Sequence, residues 1–513
     1  MRLWAPDKRK GMALLKPVFA VFVLISLVIL RSSPLRIYVS GRREGVRESK
    51  FHQIPTLDLI THSNTAQTED APRGVQHRVG PISPVESTYT CSEEHPDFPD
   101  QRMCVFSNLL IVNQTLHYVS SKQEELPPIF ISWEKVYEGD QHLAISMTQP
   151  GNLPLTLWRE VEVVRRAGLF HQQHPLNYYH LFTEIVPTMH YSICRALGIC
   201  THEASQDLRL FWVNKSGVNH PKGYVFNAPQ AIVDLLQCIS PQPVLNLQDT
   251  GSRPILMEKA VVGLPRNVRF YHQKKEEWQA RFKDPPPLKY MKHYREQVAA
   301  CLNHDFVNER APTDPVRITI VNRHYEAGRS LLNAETIKDH ILSLPSVREA
   351  GPERVVVEVV YLKGTLREQA AVVWNSSVYI WAHGAAMAHV FFLPRGAHAV
   401  ELVQWAVKDP HDQHVWVQGI RKAFDIDIQL GVVTNDDRTK VFFNYDVIRA
   451  PNSQYHRFND SEKVALLENL TCPEQPYANG GECFGWFHWG MSLVLKFDLL
   501  RPKVVAALKA LRP

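Results

Sequence analysis

From about residue 100 onward, apolar runs of strand length alternate with segments whose apolar positions recur every three or four residues. That alternation predicts α/β layers. It is most regular in the second half. Strands are expected at Val316–Val321, Val355–Leu362, Val378–Ala382 and Ala399–Val403. Helices are expected at Ala334–Leu342, capped by Asn333 with Glu335 in its first turn, and at Leu366–Trp374. A further helix should follow His383-Gly384-Ala385. Strand–helix repetition of this kind implies a parallel sheet with a ligand crevice at the carboxyl ends of its strands. In the first half the pattern predicts strands within 104–119 and at 258–264, and helices over 178–197 and Tyr290–Leu302, with Pro187 a kink or break in the former. The polar stretch Asn303–Asp314, containing Pro312, marks a domain boundary. The segment from Trp486 to Pro513 is helix-like and a candidate to pack back across the first domain.

The amino-terminal region follows a different rule. Residues 17–30, PVFAVFVLISLVIL, carry no charge, and counted from Gly11 the segment reaches 20 residues with Lys16 as its one interruption. A lysine near the end of a span can snorkel to the interface, so residues 11–30 are expected to be a transmembrane anchor. A cleaved signal peptide is the rival, but Arg31 follows directly and no small-x-small cleavage site is seen. Basic residues flank both ends, so charge does not orient the span. The resulting division is a cytosolic tail at 1–10, an anchor at 11–30 and a polar stem at 31–88. Domains follow at 89–310 and 311–480, and a terminal helix at 481–513.

Net charge is +5 over 513 residues, too weak and diffuse to indicate nucleic acid. The eight cysteines show no CxxC spacing, so a zinc site is not indicated. Cys91 with Cys104, and Cys472 with Cys483, flank turn-like segments and are either disulfides or buried thiols. Sequons begin at Asn113, Asn214, Asn375, Asn459 and Asn469, with Asn375 in a segment expected to be buried. Five sequons and an even cysteine count point to the lumen of the secretory pathway.

Three segments carry candidate chemistry. In the first, Val378 to Ala397 leading to Glu401, a strand turns at Gly384 into a helix. Gly384 admits a ligand to the backbone, the N–H groups from Ala385 onward can face an anion, and His383 can donate to a phosphate or ribose oxygen. Glu401, read as ending the next strand, could accept from a ribose hydroxyl. A tight turn with a satisfied histidine has the same spacing. In the second, Arg323 and Arg329 lie on a loop between a strand and a capped helix, where guanidinium forks suit a diphosphate; a solvated basic loop is the bland alternative. In the third, Asn177, His180 and Glu184 share one helix face, either as a cleft wall or as a surface His–Glu pair.

Taken in order, Asn177-x-x-His180-x-x-x-Glu184, Arg323 with Arg329, and His383-Gly-Ala before Phe392-Leu-Pro-x-Gly-Ala397 and Glu401 resemble the family-61 glycosyltransferases. That family includes plant xylosyl- and arabinosyltransferases and animal enzymes that add N-acetylglucosamine to proteins or to O-mannose. The resemblance spans roughly residues 100–450. It implies a GT-B-like pair of Rossmann-like domains facing a cleft. It also implies inverting transfer from a UDP-sugar (UDP-xylose, UDP-arabinose or UDP-N-acetylglucosamine class) to a glycan or glycoprotein acceptor. Arg323, Arg329, His383, Gly384, Ala385 and Glu401 would lie at the nucleotide, with Glu184 as the base and His180 its rival. The expected setting is a Golgi or endoplasmic-reticulum membrane, single-pass, with a lumenal catalytic domain.

Two departures from the family pattern stand out. The usual His-Gly-Ala-Gly-Leu is His383-Gly-Ala-Ala386-Met387 here, and the arginine loop contains His324 and Tyr325. No tightly bound cofactor is implied. Asp425-Ile-Asp427 has DxD spacing, but a divalent metal is not expected, because protein cations can neutralise a diphosphate. The competing class is a catalytically inactive lumenal glycan-binding or scaffold protein, which the intact charged residues of all three segments argue against.

Overall fold

The computed structural model describes residues 83–92, 102–123, 125–129, 143–171, 178, 181–213, 230–263, 288–304, 315–325, 328–351, 353–403, 410–435, 438–444, 461 and 491–511. All lie within the compact unit Arg73–Pro513. The expected anchor at 11–30 and its stem as far as residue 82 fall outside the described residues, as do Cys472 and Cys483. Among the described residues no helix is long and apolar enough to cross a membrane.

The first sheet is mixed and has eight strands: β1 (Thr88–Cys91), β2 (Cys104–Val112), β3 (Thr115–Val119), β4 (Ile145–Thr148), β5 (Glu162–Phe170), β6 (Leu208–Trp212), β7 (Leu245–Asn246) and β8 (Ile255–Val262). Its order is β4-β3-β2-β8-β5-β6-β7, with β1 on β2. β2 and β3 form a hairpin whose tip, Asn113-Gln114, takes positive φ at both residues, as a tight turn between twisted strands requires. β5, β6 and β7 are parallel to their neighbours, and β8 is parallel to β5 but antiparallel to β2. Helices α1 (Val186–Leu197) and α2 (Gln230–Ile239) connect β5 to β6 and β6 to β7, and α3 (Leu288–Leu302) follows β8. A π-helical turn at Leu181–Ile185 precedes α1. Pro187 cannot donate to the carbonyl one turn back, so the strain expected as a kink lies where the ladder is already loosened.

The second sheet is wholly parallel, with β9 (Val316–Val321), β10 (Val355–Val360), β11 (Val378–Ala382), β12 (His398–Val403) and β13 (Gln429–Thr434) in the order β10-β9-β11-β12-β13. Its helices are α4 (Ala334–Leu342), α5 (Pro345–Ala350), α6 (Leu366–Trp374) and α7 (Pro410–Ala423). α6 begins at a capping box: Glu368 N–H donates to Thr365 Oγ1, and the Glu368 carboxylate accepts from Thr365 N–H. The period of two sorts side chains between the faces of β11. Val378, Ile380 and Ala382 join a core with Ile318, Ile337, Leu402 and Val504. Tyr379 and Trp381 face a second core. That second core runs without a break from Phe170, Leu210 and Trp212 of the first sheet, through α1, α2 and α3, to Tyr379 and Trp381. Asp234 on α2 also accepts from Leu366 N–H at the start of α6, at 2.7 Å.

A short antiparallel pair, β14 (Val441–Phe443) with β15 (Met491–Leu493), and helix α8 (Phe497–Ala510) complete the described structure. α8 packs on the second sheet and not across the first domain, for which the segment from Trp486 was a candidate. Leu500, Val504, Ala507 and Leu508 bury against α4 and the second sheet. Asn333 stands before α4, but its side chain does not cap it. Its amide instead donates to Leu495 O and accepts from Leu495 N–H, at 2.9 and 3.0 Å.

Disulfides join Cys91 to Cys104, Cys194 to Cys200 and Cys238 to Cys301. The first pair was legible from spacing, and the other two were not. Asn113 is exposed at its hairpin tip. Asn375, expected to be buried, is exposed, whereas Ser376 and Ser377 of its sequon are buried.

Candidate active site

The order β10-β9-β11 makes the carboxyl ends of β9 and β11 the place where the chain's winding reverses. Helices connecting outward from two such strands diverge there and leave a crevice. Arg323 and Arg329 follow β9, and His383 and Gly384 follow β11, so two segments 60 residues apart meet at that crevice. Contact is direct. A Cβ placed on Gly384 would lie 2.8 Å from Arg329 Nη1 and 3.0 Å from its Cζ, and the Gly384 φ of 150° is one that side-chain-bearing residues avoid. Gly384 is therefore required for the Arg329 guanidinium to lie flat against the chain.

The arginine loop is clasped at its base. Asn322 Oδ1 accepts from Arg323 N–H and Leu331 N–H at 2.8 and 2.9 Å, and its Nδ2 donates to Leu331 O at 3.0 Å. β15 braces the far side, where Ser330 N–H donates to Ser492 Oγ and Leu493 N–H to Ser330 O. Asn444 donates to Tyr325 O at 2.9 Å. These braces hold Arg329 at a positive φ of 57°. Nothing local marks Asn444 or Ser492 in the sequence, because their partners lie 119 and 162 residues away, whereas Asn322 bonds within its own loop.

The two cations have no acid partner among the described residues. Arg323 Nη1 and Arg329 Nε are buried without a hydrogen-bond acceptor. Burial pushes the Arg329 guanidinium down to about 9, and the neighbouring Arg323 cation adds to the push. Burial also lowers Arg323. Both residues are half-buried, and a partly desolvated charge of one sign, left unpaired, is costly unless an anion arrives.

His383 and Glu401 form a second constituent. His383 Nδ1 lies 2.5 Å from Glu401 Oε1, with both residues buried. Glu401 is not the end of its strand. It lies inside β12, beside Trp381, with no exposed surface. It is therefore placed to orient His383 rather than to meet a ribose hydroxyl. With Nδ1 turned to the carboxylate, Nε2 is the histidine nitrogen on the far side of the ring. After Gly384 the chain forms the expected helix, wound as a 3-10 helix over Ala385–Phe392. Ala385 is its first residue, and Met387 N–H already bonds to Gly384 O. The Tyr379 hydroxyl donates to Ala386 O at 3.0 Å, fixing this tighter winding.

The third segment docks on the same helix. Tyr178 stacks on His389 at 4.8 Å, and Phe182 meets Phe391 and Phe392 edge-on at 4.8 and 5.3 Å. The π-helical turn that carries Glu184 is thus bonded by aromatic packing to the segment after Gly384. Asn177, His180 and the Glu184 side chain lie outside the described residues. Asp425 and Asp427 precede β13 and so stand at the amino ends of the strands, the edge opposite the crevice. Asp427 pairs there with Arg395 at 3.1 Å. Among the described residues no three His, Cys, Asp or Glu side chains gather as a metal site.

Against this geometry, the sequence model of the family described as glycosyltransferase 61 matches residues 178–400. No curated protein sequence matches the chain. The matched span begins at Tyr178, contains both arginines and the His383-Gly384 turn, and ends one residue before Glu401.

Proposed function

Residues 178–400 carry the glycosyltransferase 61 domain, and from that premise we propose that the protein is an inverting, UDP-sugar-dependent glycosyltransferase with a GT-B-type pair of domains. The observation behind this reading is the uncompensated pair Arg323 and Arg329 at the strand-order reversal, packed on Gly384. A donor diphosphate supplies the missing charge. Guanidinium groups held in place before the ligand arrives stabilise the leaving group without reorganising.

In the reaction, the acceptor hydroxyl oxygen attacks the anomeric carbon from the face opposite the diphosphate. Its proton passes to a carboxylate, and the bond from the anomeric carbon to the diphosphate oxygen breaks. Glu184 is assigned as the base, with His180 the rival. Arg323 and Arg329 take the charge that develops on the departing UDP. His383, oriented by Glu401, donates to the nucleotide from Nε2. With two arginines at the diphosphate, turnover is expected to survive a chelator. The acceptor is a glycan or glycoprotein. The setting is the secretory-pathway lumen behind a membrane anchor at 11–30, a reading supported by three disulfides and an exposed sequon at Asn113.

The test is UDP release by the full-length protein with a panel of UDP-sugars and mixed glycan acceptors. One donor is expected to give acceptor-dependent release that is lost in Glu184→Gln while donor binding persists. Full release in Glu184→Gln would move the base to His180. No release and no donor binding would leave the inactive glycan-binding or scaffold reading.

A further inference from the structure

Next to the crevice stands an aromatic surface that the transfer chemistry does not use. His324 stacks on Tyr361 with ring centroids 4.6 Å apart and planes 17° from parallel. Both residues are exposed, Tyr361 by 44%. Lys363 Nζ lies 6.0 Å from the Tyr361 ring centroid. Exposed, parallel rings that cover only each other contribute little to folding, so their alignment calls for another explanation. One face of His324 is covered by Tyr361, which leaves its outer face as the accessible one.

Position identifies the ligand. Tyr361 directly follows β10, and His324 directly follows Arg323 after β9. β10 and β9 are paired in register from Val355↔Val316 to Val360↔Val321, and Asn322 N–H continues the ladder to Val360 O. Tyr361 is therefore about one strand spacing, ~4.8 Å, to the side of the end of β9 and away from β11, and His324 meets it from the arginine loop. A nucleotide whose diphosphate lies between β9 and β11 must place its base to one side, separated by the ribose. In doubly wound sheets the ribose end runs over the strand on the outer side of the first, here β10. We propose that the His324–Tyr361 stack is the platform on which the planar base of the donor nucleotide lies, with Lys363 at its margin. This inference rests on the crevice holding a nucleoside diphosphate.

The experiment is calorimetric binding of UDP and of inorganic pyrophosphate to the full-length protein and to His324→Ala, Tyr361→Ala and Tyr361→Trp. Thermal unfolding checks that each variant is folded. Loss of one base-stacking contact is expected to weaken UDP roughly tenfold or more. Pyrophosphate, which has no base, should bind all variants alike, and Tyr361→Trp should retain UDP affinity. Unchanged UDP affinity in both alanine variants would overturn the platform, and a rise in acceptor KM alone would reassign it to the acceptor. Equal loss of UDP and pyrophosphate would also overturn it. If the unsubstituted protein bound neither ligand, the diphosphate reading of the crevice itself would fall.

Discussion

Two clusters of half-buried or buried charge, one beside each sheet, are built in opposite ways. In the first sheet, Glu162 on β5 accepts from Arg209 on β6 at 2.7 Å and from Arg253 at 3.2 Å. Donors surround the acid and its charge is matched, although Arg209 Nε itself finds no acceptor. In the second, Arg323 and Arg329 face each other with no acid among the described residues, and burial depresses both. A neutralised cluster stabilises the chain that contains it. A cluster of one sign destabilises that chain until a ligand of the opposite sign binds. Burial of arginine is therefore not diagnostic on its own; the absence of a partner is what separates a binding site from a structural ion pair.

Arg329→Ala should break this contrast most severely. Affinity for UDP is expected to fall about a hundredfold or more, because charge-assisted contacts to the diphosphate are lost. The thermal midpoint should hold or rise, since an unpaired, partly desolvated cation has been removed. A large fall in midpoint would show Arg329 to be structural. Arg209→Ala should do the reverse. It is expected to cost about 3 kcal/mol of stability, at the low end for a broken buried pair because Arg253 remains, while UDP affinity stays intact. Denaturant unfolding beside calorimetry distinguishes the two cases.

The smallest effect concerns two neutral histidines of the core between the sheets. Burial lowers both His190 and His389 from 6.5 to about 4. The unfolded chain takes up these protons near pH 6.5 and the native chain not until about 4. Stability should therefore fall as the pH drops through that interval and level off below it. His389→Gln, whose side chain can keep a bond to Gln369, should reduce the slope by about one proton. An unchanged slope would show that His389 does not titrate on unfolding.

How much of this was legible depended on the range of the forces involved. β9, β11, α4 and α6 lie at the residues that the hydrophobic pattern predicts, because the second sheet is buried on both faces and its strands are nearly continuous apolar runs. β5 was not visible in advance. Its Glu162, Arg165 and Arg166 read as polar until Arg209, Arg253 and Asp207 are brought beside them. The pattern after Gly384 predicts a helix but not its 3-10 winding. The Tyr379 hydroxyl, which holds Ala386 O, belongs to the preceding strand.

The sequence by itself determined the α/β alternation, the glycine turn after β11, the two arginines after β9 and the resemblance that the family match bears out. These rest on local periodicity and on residue types whose backbone or charge chemistry is intrinsic. Tertiary structure alone decided the strand order that sets the arginines against Gly384, the burial that turns Glu401 from a ribose contact into the partner of His383, and the clasp of β15 on the loop. Each depends on contacts between distant segments, and desolvation and pairing have no value until the chain has closed around them.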